Sequence, residues 1–130
     1  MTYSTPKEAC FAWMNGLNEG RPNDVVAMYA EDSVLLPTFS PHFLKTPKDR
    51  EDYFMSLAAR PNLRVEMHEK TLKFHTITEN VYSACGIYKF IFDVDEATLT
   101  FEARFSFVFD LKAPRPILHH HSSQVPRNLG

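Results

Sequence analysis

Residues able to do chemistry crowd toward the C-terminal end of this chain. Ile117-Leu118-His119-His120-His121-Ser122-Ser123-Gln124-Val125-Pro126 sets three imidazoles and two hydroxyls side by side. On a β-strand side chains alternate with a period of two, so His119, His121 and Ser123 look one way and Leu118, His120 and Ser122 the other. An imidazole titrates near neutral pH, and His120 is therefore a candidate general acid or base, or else a histidine hydrogen-bonded across a sheet. His119 and His121 stand ~7 Å apart by strand geometry. Two imidazoles need a third ligand to hold a metal, and no Cys or carboxylate cluster supplies one at the right spacing, so no metal is expected. Arg104 lies mid-strand among apolar neighbours, where a guanidinium is costly unless paired. Either it grips an anionic ligand bidentately, or it closes an internal ion pair with an acid such as Glu102, Asp32 or Glu69. Trp13, Tyr29, Tyr53, Tyr88 and Phe90 either line a cavity that stacks on a flat ligand or form ordinary core.

Elements must position these side chains. Thr5-Pro6-Lys7-Glu8 opens a helix with a capping box, and Ala9, Cys10, Trp13, Met14 and Leu17 give it an apolar stripe that ends at Gly20. A second short helix is expected over Pro22 to Tyr29, then a strand from Ser33 to Leu36. Thr38 to Lys45, with Pro41 and His42, is the longest irregular stretch and a candidate lid. Thr46-Pro47-Lys48-Asp49 starts a third helix with Tyr53, Phe54, Leu57 and Ala58, broken at Arg60-Pro61. Strands follow over Leu63–Ile77, Asn80–Asp93, Thr98–Leu111 and Pro116–Val125. Thr100–Asp110 alternates almost without fault, with Phe101, Ala103, Phe105, Phe107 and Phe109 on one side and Arg104 on the other. Helices first and long antiparallel strands afterwards predict an α+β domain.

Composition bounds the class. The 130 residues are 44% hydrophobic and carry a formal charge of −2, enough for one core and too little for two. Residues 1–130 are read as a single domain. The charge and the lack of a basic stripe argue against nucleic acid, and no apolar run approaches the ~20 residues of a membrane span. The first residues lack a signal peptide's charged and apolar regions, and Cys10 and Cys85, in apolar patterns, read as two buried reduced thiols, with a single disulfide as the alternative, so a cytoplasmic protein is expected. No glycine-rich phosphate cradle or nucleophile elbow is present, and no cofactor is expected.

The order of elements resembles the cone-shaped fold of the nuclear-transport-factor-two-like superfamily: three N-terminal helices packed on a strongly curved, mainly antiparallel sheet. Glu102-Ala103-Arg104-Phe105-Ser106-Phe107-Val108-Phe109 followed by Leu118-His119-His120-His121-Ser122-Ser123-Gln124-Val125-Pro126 is similar to one branch of it. That branch holds SnoaL-like proteins and the association (hub) domain of calcium/calmodulin-dependent protein kinase II. The resemblance implies a pocket between helices and the concave side of the sheet, and a convex side that pairs with a second subunit. It places Arg104 in the pocket, with Phe90 and Ser122 standing where the hub has its other arginines. It also matches Asp32 to a position where some catalytic relatives hold an acid. If Arg104 faces the pocket, alternation turns Phe101, Phe105, Phe107 and Phe109 outward, with His119 and His121, as the contact of a homodimer. The expected ligand-binding set is Arg104, His120, Ser122, Tyr88, Phe90, Trp13, Tyr29 and Tyr53, and the expected ligand is a small acidic or carbonyl compound. Two alternatives stay open: an isomerase, cyclase or dehydratase using His120 or Asp32, and an oligomerisation scaffold like the hub.

Overall fold

Residues 2–126 are described by a computed structural model. Helix α1 (Pro6–Asn18) begins as its capping box dictates. Thr5 Oγ1 accepts the Glu8 N–H at 3.1 Å, and the Glu8 carboxylate accepts the N–H groups of Thr5 and Ser4 at 3.1 and 2.9 Å. Gly20, at φ 68°, takes the left-handed turn that leads away from it. Helix α2 spans only Pro22–Val26, shorter than the periodicity suggested, because Tyr29 already opens strand β1 (Tyr29–Leu36) by pairing with Ile117. Helix α3 (Pro47–Ala58) is capped by Thr46, whose hydroxyl accepts the Asp49 N–H at 3.1 Å.

The stretch expected as one long strand is broken into β2 (Arg64–Met67), a 3-10 turn (Glu69–Thr71) and β3 (Lys73–Thr76). Gly86 on β4 (Val81–Val94) explains the break, since a Cβ there would sit 2.9 Å from Leu72 Cδ2 and 3.1 Å from Thr71 Oγ1. The chain crosses so close that Thr71 Oγ1, rather than a main-chain carbonyl, accepts the Ile87 N–H at 2.8 Å. Strands β5 (Ala97–Asp110) and β6 (Ile117–Gln124) complete a sheet in the order β1-β6-β5-β4-β2, with β3 also on β4. All pairings are antiparallel except β1 with β6. Three helices and a curled six-stranded sheet are the α+β cone expected. No helix among the described residues is long and apolar enough to cross a membrane.

The sense of the sheet is the reverse of the one expected. Phe105, Phe107 and Phe109 are buried at 3%, 0% and 0% exposure beneath the helices, and Phe101 packs half-buried against Phe92 and Phe39. Arg104 is exposed on the other side. A one-residue change of parity moves every side chain on the strand, so the larger set decides. Each buried phenylalanine contributes ~1.5–3 kcal/mol, while an unpaired guanidinium in the core costs several. The phenylalanine stripe is therefore core, and the other face carries Lys89, Glu102, Arg104, Ser106, His119 and His121, together with Cys85, which was expected to be buried like Cys10 and is instead exposed because the same parity puts it opposite Ser106.

Candidate functional site

Between helices and sheet lies a polar chain set in aromatic rings. His120 is 1% exposed and faces inward with Ser122, because β6 pairs His120 with Phe107 and Ser122 with Phe105. Ile117 also faces inward, as a bulge absorbs Leu118 between the pairs Phe109–Ile117 and Val108–His119. The imidazole stacks on Phe107 at 4.0 Å and meets the edge of Trp13 at 5.4 Å. Trp13, brought by α1, stacks on Tyr88 at 5.3 Å.

Hydrogen bonds run through this cluster in one direction. Tyr88 Oη donates to Ser122 Oγ at 2.6 Å, which uses its only proton. At His120, 3.1 Å away, Nε2 must then be the donor to Tyr88 Oη, and Nδ1 is the acceptor. Tyr29 Oη donates to that Nδ1 at 2.7 Å and itself accepts the Trp13 Nε1–H at 3.0 Å. At the other end Ser122 is hydrogen-bonded to Thr38. Its proton belongs on that bond, because a buried hydroxyl left without an acceptor is expensive. The chain therefore reads Trp13, Tyr29, His120, Tyr88, Ser122, Thr38, and only one tautomer of His120 satisfies it.

Electrostatics agree with a neutral imidazole. Burial pushes His120 well below its usual value, and the neighbouring His119 and His121 push it further. Burial likewise raises Tyr29 and Tyr88 far above the usual phenol range and Tyr53 to about 12. The Cys10 thiol is pushed up to about 12 by burial and is inert as a nucleophile. The space left among Trp13, Tyr53, Tyr88, His120, Ser122 and Thr38 is only about 10 Å³, no more than a single water needs.

The structure brings together Trp13, Tyr29, Tyr88, Phe90, His120 and Ser122, with Tyr53 at the edge, its hydroxyl accepting the Phe39 N–H at 3.3 Å. It does not bring Arg104, which shares its face with Ser123, nor Asp32, which is exposed in β1. Arg104 fails to reach the interior for the reason of parity already given. Asp32 is turned out to solvent at the irregularity between Tyr29 and Val34. His119 and His121 are exposed on the uncovered face, and among the described residues no three His, Cys, Asp or Glu side chains gather as a metal set.

Two participants escaped the sequence reading. Thr38 lies in an irregular loop with no periodic signal. Arg50 is 1% exposed, and its guanidinium donates to the carbonyls of Ser33 at 2.7 Å and of Ala30 and Glu31 at 3.0 Å each. Those carbonyls belong to the irregular part of β1, where the sheet ladder is interrupted. Arg50 takes the place of the missing strand partner and holds β1, and with it Tyr29, against α3. Its signal was present: Arg50, Phe54 and Leu57 share one helical stripe at i, i+4 and i+7.

A structure from Xanthomonas campestris, described as a calcium/calmodulin dependent protein kinase II association domain, is 25% identical with a TM-score of 0.81 and covers 98% of this chain and 96% of its own. A ketosteroid isomerase-like protein of Erwinia carotovora atroseptica has a TM-score of 0.72 at 11% identity, over 93% of this chain and 94% of that one. A Novosphingobium aromaticivorans protein of the nuclear-transport-factor-two-like, cystatin-like fold gives 0.72 at 9% identity, over 94% and 80%. The last two likenesses establish the fold alone. No curated protein matches this sequence. The model of the calcium/calmodulin dependent protein kinase II association domain matches residues 9–126, and the chain belongs to that family.

Proposed function

We propose that this chain is a self-associating domain that pairs with a second copy through the uncovered face of its sheet. The observation that carries the reading is one-sidedness. Among the described residues the helices pack on the side of Phe105 and Phe107, and none of them covers the side of β4, β5 and β6 that bears Arg104. That side mixes half-buried Ile87, Val108 and Leu36 with exposed Cys85, Lys89, Glu102, Ser106, His119 and His121. Membership of an association-domain family supports the same reading.

Arg104 acquires a role in this arrangement. Among the described residues it has no carboxylate at ion-pair distance, and its cross-strand neighbours are Ile87 and Ser123. Glu102 lies on the same face, ~7 Å along β5. A two-fold contact brings residue i of one copy to residue j of the other and the reverse, so one axis between these positions pairs each Arg104 with the other copy's Glu102. His119 and His121 stand on the same face and enter the contact with them.

A small molecule held inside the cone has weaker support. The interior is filled by the chain's own rings, the polar groups of Tyr29, His120, Tyr88 and Ser122 are bonded to one another, and the arginine proposed to hold an acid is outside. The deciding experiment is a charge exchange. Light scattering of the unmodified protein should give a dimer, Arg104→Glu should shift it toward monomer, and Arg104→Glu combined with Glu102→Arg should restore the dimer. A monomeric parent, or a single variant that dimerises as well as the parent, would overturn this reading.

A further inference from the structure

One ring from the loop between β1 and α3 is set between α3 and the inner face of the sheet. Phe39, half-buried, meets Phe90, Phe92 and Phe101 at ring-centre distances of 5.2, 5.8 and 5.4 Å, with planes inclined at 74°, 75° and 84°. Those three rings form one aromatic floor: Phe90 pairs with Phe101 across β4 and β5, and Phe92 stacks on Phe101 at 5.2 Å. They stand on the same side of the sheet as Phe105 and Phe107, away from the face that bears Arg104.

Little besides that ring holds the loop down. From residue 38 to residue 43 the main chain reaches the rest of the described structure at one atom, Tyr53 Oη, which accepts the Phe39 N–H at 3.3 Å and is also met by the N–H of Thr38. A side-chain bond from Thr38 to Ser122 is added. The fixed points lie at the ends of the stretch, where Leu36 pairs with His121 and Leu44 with Leu35. Phe43, the loop's second benzyl group, is 63% exposed. Lifting Phe39 therefore breaks no helix or sheet bond. It uncovers a slot the size of one benzene ring, walled by Phe90, Phe92, Phe101 and Tyr53, and takes from the Tyr53 hydroxyl its N–H donors. Tyr53 and Phe90 also border the residual interior space, so the slot opens into it.

We propose that Phe39 is a built-in plug, and that a small neutral aromatic compound bearing a hydroxyl displaces it. The plug itself defines the occupant: a flat six-membered ring already sits there, in the edge-to-face geometry that aromatic pairs prefer. A phenol adds a hydroxyl that gives Tyr53 Oη the donor it loses with the loop. The walls are uncharged, which favours a neutral ring over a carboxylate, and the Arg60 guanidinium is already held over Phe92, 5.2 Å from its ring centre. The closed cone has no room for such a compound; room appears only as the loop passes to a second state, which the ligand selects. The slot shares no residue with the assembly face, and the inference does not rest on the dimer.

The test is a phenol titration of the whole protein, in its own oligomeric state, followed by amide ¹H–¹⁵N spectra. Saturable shifts should appear at residues 38–43 and at Tyr53, Phe90, Phe92 and Phe101. A plug-out state populated at about 1–10% lowers the parent's affinity by that fraction, so Phe39→Ala should bind phenol about ten- to a hundredfold more tightly. Phe43→Ala, which removes the loop's exposed ring, should leave the affinity unchanged. Cyclohexanol, a hydroxyl on a puckered ring of similar size, should bind more weakly than phenol. If Phe39→Ala does not fold, Phe39→Leu, which keeps part of the apolar contact, should still tighten phenol binding. Equal affinity in the parent and the Phe39 variant, an equal gain from Phe43→Ala, cyclohexanol binding as tightly as phenol, or shifts confined to other residues would overturn the proposal. Light scattering follows the dimer independently of all these outcomes.

Discussion

Acidification is expected to destabilise this fold through one side chain. His120 is buried, and its proton inventory is fixed by a donor Tyr29 on Nδ1 and an acceptor Tyr88 on Nε2. The other five histidines, at 42, 68, 75, 119 and 121, are exposed. His120 in the folded protein lies well below the usual 6.5. Below pH 6.5 the unfolded chain therefore binds a proton that the native state refuses, and unfolding gains about 1.4 kcal/mol for each further pH unit while His120 stays neutral. This stability is complete above pH 6.5 and falls as the pH falls. From neutral to about pH 5 the loss is ~2 kcal/mol, or about 6–10 °C in Tm for a chain of this size. His120→Phe preserves the stack on Phe107 but leaves the Tyr29 hydroxyl without an acceptor, a cost of about 1–3 kcal/mol that does not depend on pH. Urea unfolding of both proteins should show the variant less stable at neutral pH and the two curves converging near pH 5. A parent whose stability is level across that range, or a variant that keeps the parent's slope, would refute the assignment.

Two further substitutions test the supports of the site. Arg50→Met keeps an apolar stem of similar length but strips the donors from the carbonyls of Ser33, Ala30 and Glu31, and should cost about 3 kcal/mol in urea unfolding. A loss below ~1 kcal/mol would mean that those carbonyls do not need the guanidinium. Gly16→Ala would place a Cβ 2.6 Å from Val25 Cγ2 where α1 meets α2. Overpacking of ~1–3 kcal/mol should outweigh the ~1 kcal/mol gain in helix propensity, so a raised Tm in a thermal melt would contradict the packing described.

Legibility varied with the range of the forces involved. The caps at Thr5 and Thr46 and the apolar stripe of α1 were readable because they depend on neighbours within four residues. The split of the first long strand, Leu63–Ile77, was not, because its cause is Gly86 on another strand, approached by Thr71 and Leu72. The shared face of His120 and Ser122 followed from alternation alone. Their grouping with Tyr88, Trp13 and Tyr29 was foreseen as a possible lining, but not their bonding into one chain, which needs contacts across 91 residues between Tyr29 and His120.

By itself the sequence determined the kinds of element, their order, the family and the alternation that divides each strand into two sets of side chains. It could not determine which set faces the helices, since a period of two is the same read from either side. Tertiary structure chose, and did so by burial: the phenylalanines of β5 went inside and Arg104 went out. With that one choice the arginine became a candidate contact with another copy, and His120, Tyr88 and Ser122 became a closed interior network.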